Sequence, residues 1–179
     1  KEGLITSERG RQVVISPTSM ADLDELYALR IKLDTMTVRA TVPMLSDDDI
    51  VAMQECLAAM DANSSPGQFV EFDAAHRQFH MIPLRLAGPR HADYSAGLNE
   101  HAERYRRLYL AQRNSFQQSR EEHCAIMEAC AQRDGEEVAW LLAEHYARIA
   151  LTIIAQIDPT FEPHQLRAAV RVARQGRDG

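Results

Sequence analysis

The chain has 179 residues, of which 45% are hydrophobic and 26% charged, and its formal net charge at pH 7 is −6. This composition is typical of a globular protein with room for one substantial core. The chain has no run of about 18 uncharged apolar residues and no signal-peptide pattern, so we expect a cytoplasmic protein without a membrane span. The acidic balance also argues against a chain that wraps nucleic acid by itself.

Residues 1–17 predict a two-stranded ribbon. The stretch GLITSERGRQVVISP contains a short apolar pair, a polar turn at Gly10 and a β-branched run that Pro17 closes. A lone hairpin is marginal in water, so we expect this ribbon to belong to a larger unit.

From Thr18 onward the apolar residues recur with a helical period. Ser19 is suited to cap the first helix, and Ser46, followed by three aspartates, predicts the start of the second. The same pattern predicts further helices at about 68–86, 91–113, 115–132, 136–157 and 163–175. Short connections between these helices predict an all-α fold, an antiparallel bundle of six to seven helices.

The chain therefore divides into three predicted parts. Residues 1–17 form the ribbon and a linker, residues 18–158 form the helical domain, and residues 159–179 form a C-terminal extension with a short helix. Three cysteines without a CxxC pair suit a reducing compartment and the packing of a core.

Four histidines lie on three of the predicted helices. His76 and His80, in the stretch HRQFH, are four residues apart, so their imidazoles share one helix face and could reach one cation at about 2.0–2.1 Å. His123 and His145 lie among apolar residues of the fifth and sixth helices. Two interpretations stay open at this point, a shared metal site or core histidines that each bond to a neighbour.

The residues around these histidines favour binding over turnover. In an HExxH motif the glutamate is the general base, but Arg77 stands at that place here. Di-iron bundles need Glu-x-x-His pairs, and none of the four histidines has a glutamate three positions before it. Because a catalytic zinc needs a base and none is visible, we expect that this chain is not an enzyme.

The motifs, taken in order, resemble a known family of regulators. GLITSERGRQVVISP followed by DLDELYALRIKLD is similar to the end of a winged-helix wing that enters the first effector-domain helix of GntR-type transcription regulators. HRQFH, Ala87-Gly88 and SREEHCAIMEACAQRDGEEVAWLLAEH resemble the C-terminal ligand-binding domain of the FadR subgroup, called FCD. The resemblance covers about residues 3–157.

This resemblance implies a metal centre. His80, His123 and His145 occupy the family's three metal-binding histidine positions, and His76 stands at the fourth position, which usually holds aspartate. An all-nitrogen ligand set favours zinc or nickel over harder ions. It also removes a negative charge, which favours an anionic ligand at the metal.

The resemblance also implies a small carboxylate metabolite as effector. Arg30 on the first helix, and Arg104 or Arg107 on the fourth, are candidates to bind it, because a guanidinium can hold a carboxylate through two hydrogen bonds. For the last two, a surface arginine in an i,i+4 pair is an equally good interpretation. Two further departures from the family pattern are Asp34, where glutamate is common, and Pro89, where asparagine is usual.

The expected function is ligand sensing and dimerisation in a bacterial-type DNA-binding transcription regulator, as a homodimer in the cytoplasm. The resemblance implies that DNA is contacted only through an N-terminal winged-helix domain, which should precede Gly3 and is mostly absent from this sequence. Two alternatives remain, a small helical metalloenzyme that uses the same histidines and a metal-free helical interaction domain in which they are structural.

Overall fold

A computed structural model describes residues 5–6, 14–15, 19–65, 67–110 and 115–177. The helices in this part of the chain are α1 Met20–Thr41, α2 Asp47–Ala62, α3 Phe69–Leu84, α4 Pro89–Leu110, α5 Ser115–Ala131, α6 Gly135–Ile157 and α7 His164–Gln175. Two short 3-10 helices, Val42–Met44 and Arg85–Ala87, continue α1 and α3. The predicted all-α fold of six to seven helices is confirmed.

Two short strands precede the bundle. Strand β1, Ile5–Thr6, pairs antiparallel with β2, Val14–Ile15, so that Ile5 lies opposite Ile15. This agrees with the predicted ribbon, although its predicted turn at Gly10 and residues 111–113 of the predicted fourth helix lie outside the described residues. The division into three parts stays a prediction.

Local side-chain bonds explain where several helices begin. Ser19 Oγ accepts a hydrogen bond from the backbone N–H of Asp22 at the start of α1. At the start of α2, Ser46 Oγ accepts from the backbone N–H of Asp49 at 3.1 Å, and the carboxylate of Asp49 accepts from that of Ser46 at 3.0 Å. These bonds satisfy backbone donors that the first turn of a helix leaves free.

Helix α1 lies at the centre of the packing, in contact with α3, α4, α6 and α7. Its inward residues Leu23, Tyr27 and Ile31 are fully buried. The buried carboxylate of Asp24 accepts hydrogen bonds from the backbone N–H groups of Gln165 and Leu166, at 3.1 and 2.8 Å. A side chain of α1 therefore caps the first turn of α7 and ties the last helix to the core.

Helix α6 is long and apolar enough, by length and composition, to cross a membrane. Of its most apolar stretch, however, 61% is buried inside the protein. It packs against α1, α4, α5 and α7. Its place in the core therefore explains its apolar character. This agrees with the expectation that the chain has no membrane span.

The start of α6 passes very close to α1. A Cβ atom added at Gly135 would lie 2.9 Å from the backbone oxygen of Arg39 and 3.2 Å from that of Val38. Because both atoms belong to the backbone of a packed helix, neither side can yield cheaply. Gly135→Ala should therefore lower the free energy of unfolding by about 1–3 kcal/mol, as measured by urea denaturation.

Gly97 in α4 provides the matched control, because a Cβ atom there would meet nothing within 4 Å. Gly97→Ala should raise the free energy of unfolding by about 0.4–1 kcal/mol, since alanine has less backbone freedom to lose on folding. Equal effects at the two positions would contradict the close approach of α1 and α6.

Candidate metal centre

The four predicted histidines meet in the interior of the bundle. His76 and His80 project from one face of α3, His123 comes from α5 and His145 from α6. All four side chains are buried, with at most 3% of any residue exposed. The structure thus brings together side chains that are up to 69 positions apart (145 − 76) in the sequence.

The ring nitrogens have the spacing of a shared cation site. Nε2 of His80 lies 3.2 Å from Nε2 of His76 and 3.1 Å from Nε2 of His123. One ring nitrogen from each of the four residues lies within 4.8 Å of the other three. Four nitrogens placed tetrahedrally at about 2.05 Å from one ion are about 3.3 Å apart, so the arrangement fits a metal ion after small adjustments.

Hydrogen bonds at the far side of two rings select the tautomer that a metal needs. Nδ1 of His123 donates to the backbone oxygen of Ser119 at 2.6 Å, and Nδ1 of His145 donates to Oε2 of Glu122 at 2.7 Å. Because these oxygens only accept, each Nδ1 carries the hydrogen and each Nε2 keeps a lone pair. Nε2 of His145 is buried and has no hydrogen-bond partner among the described residues.

Burial keeps the four imidazoles uncharged. It lowers the pKa of His76, His80 and His123 well below the usual histidine value, and the neighbouring imidazoles lower it further. The pKa of His145 falls to about 3 through burial and the charges of Arg30 and Arg106. Neutral imidazoles are the form that binds a metal ion.

A buried guanidinium lies next to this cluster. Arg30 is 1% exposed, and its central carbon lies 3.9 Å from the ring centre of Tyr146 and 5.3 Å from that of Tyr27. None of its three nitrogens has a hydrogen-bond partner of good geometry among the described residues. A buried cation with unused donors is suited to bind an anion.

The structure places the other two predicted arginines of α4 differently. The side chain of Arg107 is 51% exposed, whereas that of Arg104 is 18% exposed and its Nε is buried without a hydrogen-bond partner among the described residues. Arg104 pairs with Asp22 and lies over the ring of Tyr105, and Arg107 pairs with Glu103 at 2.8 Å. The surface pairing of Arg107 is the i,i+4 arrangement that the sequence left open. Their part in effector binding stays a prediction.

Sequence reasoning missed Arg106, which is 2% exposed. Its Nε donates to Asp73 at 2.7 Å and its Nη1 to the side-chain oxygen of Asn99 at 2.8 Å, while Nη2 has no partner among the described residues. Its position follows the helical period of the buried residues Asn99, Ala102 and Tyr109, and this signal could have identified it.

A small cavity of about 90 Å³ reaches the cluster at His123. It lies between α2, α3 and α5 and has both apolar and polar walls, formed by Leu57, Met60, Asp61, Ser64, Phe72, Phe116, Gln117, Ser119, Arg120 and His123. The described part of the chain therefore has open space directly beside a candidate ligand.

The fold and the buried cluster define a helical domain with a candidate metal centre, and comparison with known proteins gives its family. The sequence pattern of the FCD domain matches residues 25–148. The chain therefore belongs to the FCD domain family of GntR-family transcription regulators, and the predicted resemblance to this domain is confirmed. A comparison with curated protein sequences found no match.

Solved structures of GntR-family regulators share the fold. McbR/YncC of E. coli is 18% identical, with a TM-score of 0.75 over 86% of this chain and 78% of that one. A GntR family member from Pseudomonas syringae pv. tomato is 22% identical, with a TM-score of 0.62 over 86% and 63% of the two chains. A GntR regulator described as putative, from Rhodococcus sp. RHA1, is 18% identical, with a TM-score of 0.68 over 87% and 74%.

The buried histidines make the stability of the metal-free protein depend on pH. Their pKa is lowered on folding, so below about pH 6.5 the unfolded chain binds protons that the folded chain does not. Stability should therefore be full above about pH 6.5 and should be lost as pH falls towards 3, by up to about 1.4 kcal/mol per pH unit for each histidine.

His145→Gln should reduce this slope by up to one histidine's share, about 1.4 kcal/mol per pH unit, in urea titrations between pH 7.5 and 5. The control is His101→Gln, which replaces an exposed histidine of α4 that lies outside the cluster. A slope that neither substitution alters would contradict a neutral buried His145.

Proposed function

We propose that this domain senses a small carboxylate metabolite at a divalent metal centre and passes the signal to a DNA-binding domain. The observation that carries the proposal is the convergence of His76, His80, His123 and His145, neutral and buried, on one point. The buried guanidinium of Arg30 near this point, whose nitrogens have no hydrogen-bond partner of good geometry among the described residues, supports an anionic effector.

Zinc or nickel is the proposed metal. Imidazole suits both ions, whereas magnesium, calcium and manganese prefer oxygen ligands, which this set lacks. His76 supplies a fourth nitrogen where a family member with aspartate would supply an oxygen and a negative charge. A carboxylate that joins four imidazoles would make the ion at least five-coordinate, which both metals accept.

We propose binding rather than catalysis at this centre. Arg77 occupies the place of the glutamate base in HExxH, and its guanidinium pairs with Asp73 at 3.2 Å. Among the described residues, Glu122 is the carboxylate that hydrogen-bonds one of the four histidines. It accepts from His145 and also pairs with Arg148. A proton acceptor held in this way orients a ligand and is a poor base for a bound water.

Regulation would act through α1 and a homodimer. Arg30 lies on α1, the helix that follows the N-terminal ribbon, so an effector held by Arg30 would favour one position of this helix. The effector changes the equilibrium only if it binds the two states unequally. Exposed Leu29 and Met36 on α1 and Tyr94 on α4 support these two helices as the dimer surface.

DNA recognition is proposed for an N-terminal winged-helix domain of the intact cytoplasmic regulator. The formal net charge of −6 supports this assignment, because a domain that binds DNA by itself needs a concentrated basic face. The helical domain would then contribute the signal and the pairing of two DNA-binding heads.

Metal analysis of the purified protein tests the centre directly. We expect about one zinc or nickel ion per chain, and His80→Ala and His123→Ala should each lose most of it, because each removes one of the four converging ring nitrogens. His101→Ala on α4 should keep it, since His101 is exposed. Wild-type protein without metal would support the metal-free interaction domain, and metal content that survives both substitutions would refute the assigned ligands.

A thermal-shift screen of acetate, succinate and citrate on the zinc-loaded protein tests the effector class. A carboxylate present at a hundred times its Kd should raise Tm by about 5–10 °C. Arg30→Met should abolish this shift without changing the metal content. Arg167→Met, which removes an exposed arginine of α7, should preserve it.

The same assay on Arg104→Met and Arg107→Met tests the two remaining predicted contacts. A shift that survives in Arg30→Met and disappears in either of these variants would assign the carboxylate site to that arginine of α4. Carboxylate turnover that a chelator abolishes would instead favour the metalloenzyme.

A further inference from the structure

One carboxylate is tied to the histidine cluster. Glu122 precedes His123 on α5, yet its Oε2 accepts a hydrogen bond from Nδ1 of His145 on α6, at 2.7 Å. Among the described residues, no other acidic side chain hydrogen-bonds one of the four histidines. The side chain of Glu122 is 25% exposed and that of His145 only 1%. The hydrogen bond therefore links a carboxylate at the edge of the bundle to an imidazole in its interior.

This bond affects the ring nitrogen that faces the cluster. A carboxylate that accepts from Nδ1–H fixes the ring orientation and makes Nε2 a stronger electron donor. In His123 the corresponding acceptor is the uncharged backbone oxygen of Ser119, at 2.6 Å. That bond selects the same tautomer but brings no charge, so His145 is the ligand that a negative charge strengthens.

The negative charge of Glu122 matters because the proposed metal centre has an excess of positive charge. Four neutral imidazoles leave the two positive charges of a divalent ion without an anionic ligand. Arg30 adds positive charge near the rings, because its central carbon lies 3.9 Å from the ring centre of Tyr146, which lies 5.8 Å from that of His80 and 5.7 Å from that of His145. The charge of Arg106, by contrast, is paired with Asp73. In a medium of low dielectric constant such an excess is costly, and a carboxylate one hydrogen bond away reduces it.

We propose that Glu122 is a positioning residue that supplies, through His145, the negative charge that the ligand set lacks because His76 is a histidine. Glu122 thereby sets the affinity of the centre for its metal. This inference rests on the proposed metal centre and adds to it a residue that never touches the ion.

The surroundings hold Glu122 in this position. Arg148, one turn after His145 on α6, pairs with the same carboxylate. Nη1 of Arg148 in turn donates to the hydroxyl of Tyr109 on α4, at 2.8 Å. The carboxylate is therefore held by two side chains of α6, and one of them, Arg148, is itself fixed by Tyr109 of α4.

Zinc affinity of Glu122→Gln tests the proposal, with Glu121→Gln as the matched control. Glutamine keeps an oxygen that can accept from His145, so the change removes the charge and retains the shape. Glu121 is exposed on the same helix and accepts from Gln117 at 3.0 Å. Competition with a chromophoric chelator should show zinc bound about tenfold or more weakly by Glu122→Gln and unchanged by Glu121→Gln.

A double-mutant cycle shows whether the charge acts through His145. In a His145→Ala background the remaining three histidines bind zinc more weakly, and Glu122→Gln should cause no further loss. An equal loss in both backgrounds would overturn the proposal, because it would assign the effect to folding or to a charge felt through space.

Glu122→Asp separates the charge from the packing. It keeps the carboxylate and should bind zinc more tightly than Glu122→Gln, while metal-free Tm values report the folding of both variants. An aspartate variant as weak as the glutamine variant would overturn the role of the charge. If the wild-type protein binds neither zinc nor nickel, the proposed centre itself is refuted. If Glu122→Gln binds zinc as tightly as the wild type does, only this inference is refuted.

Discussion

The burial of four imidazoles where α3, α5 and α6 meet is the constraint on which the rest of this domain depends. Placing polar rings away from water costs free energy unless their nitrogens find partners. Ser119 and Glu122 satisfy the outer nitrogens of His123 and His145. Since successive residues of a helix point about 100° apart, a slip of one residue in any of the three helices would turn a histidine out of the cluster.

The two buried arginines next to the cluster have different surroundings. Arg106 is compensated by Asp73 and Asn99, whereas Arg30 has aromatic faces beside it and no hydrogen-bond partner of good geometry among the described residues. An unsatisfied buried donor destabilises a folded protein, and such groups concentrate where a ligand supplies the missing acceptor. The guanidinium of Arg30 is therefore a group that the proposed anionic effector would satisfy.

Local rules predicted much of the fold and part of the candidate site. Ser19 and Ser46 cap the helices that their positions predict, because a cap involves only residues within one turn. His76 and His80 share a helix face because they are four residues apart. The run of basic residues in α4 did not predict which arginine is buried. Arg104, Arg106 and Arg107 are near neighbours in the sequence but differ in burial and in partners. The helical period of the buried residues was the better signal there.

The sequence by itself determined the helical segments, the spacing of the HRQFH pair and the family, because each depends on residues close together or on motifs in order. Only the tertiary structure brought His123 and His145 to that pair, turned Glu122 towards a ring on another helix and placed Asp24 at the start of α7. These contacts join residues far apart in the chain. They depend on how whole helices cross and on their register, and no local pattern encodes either.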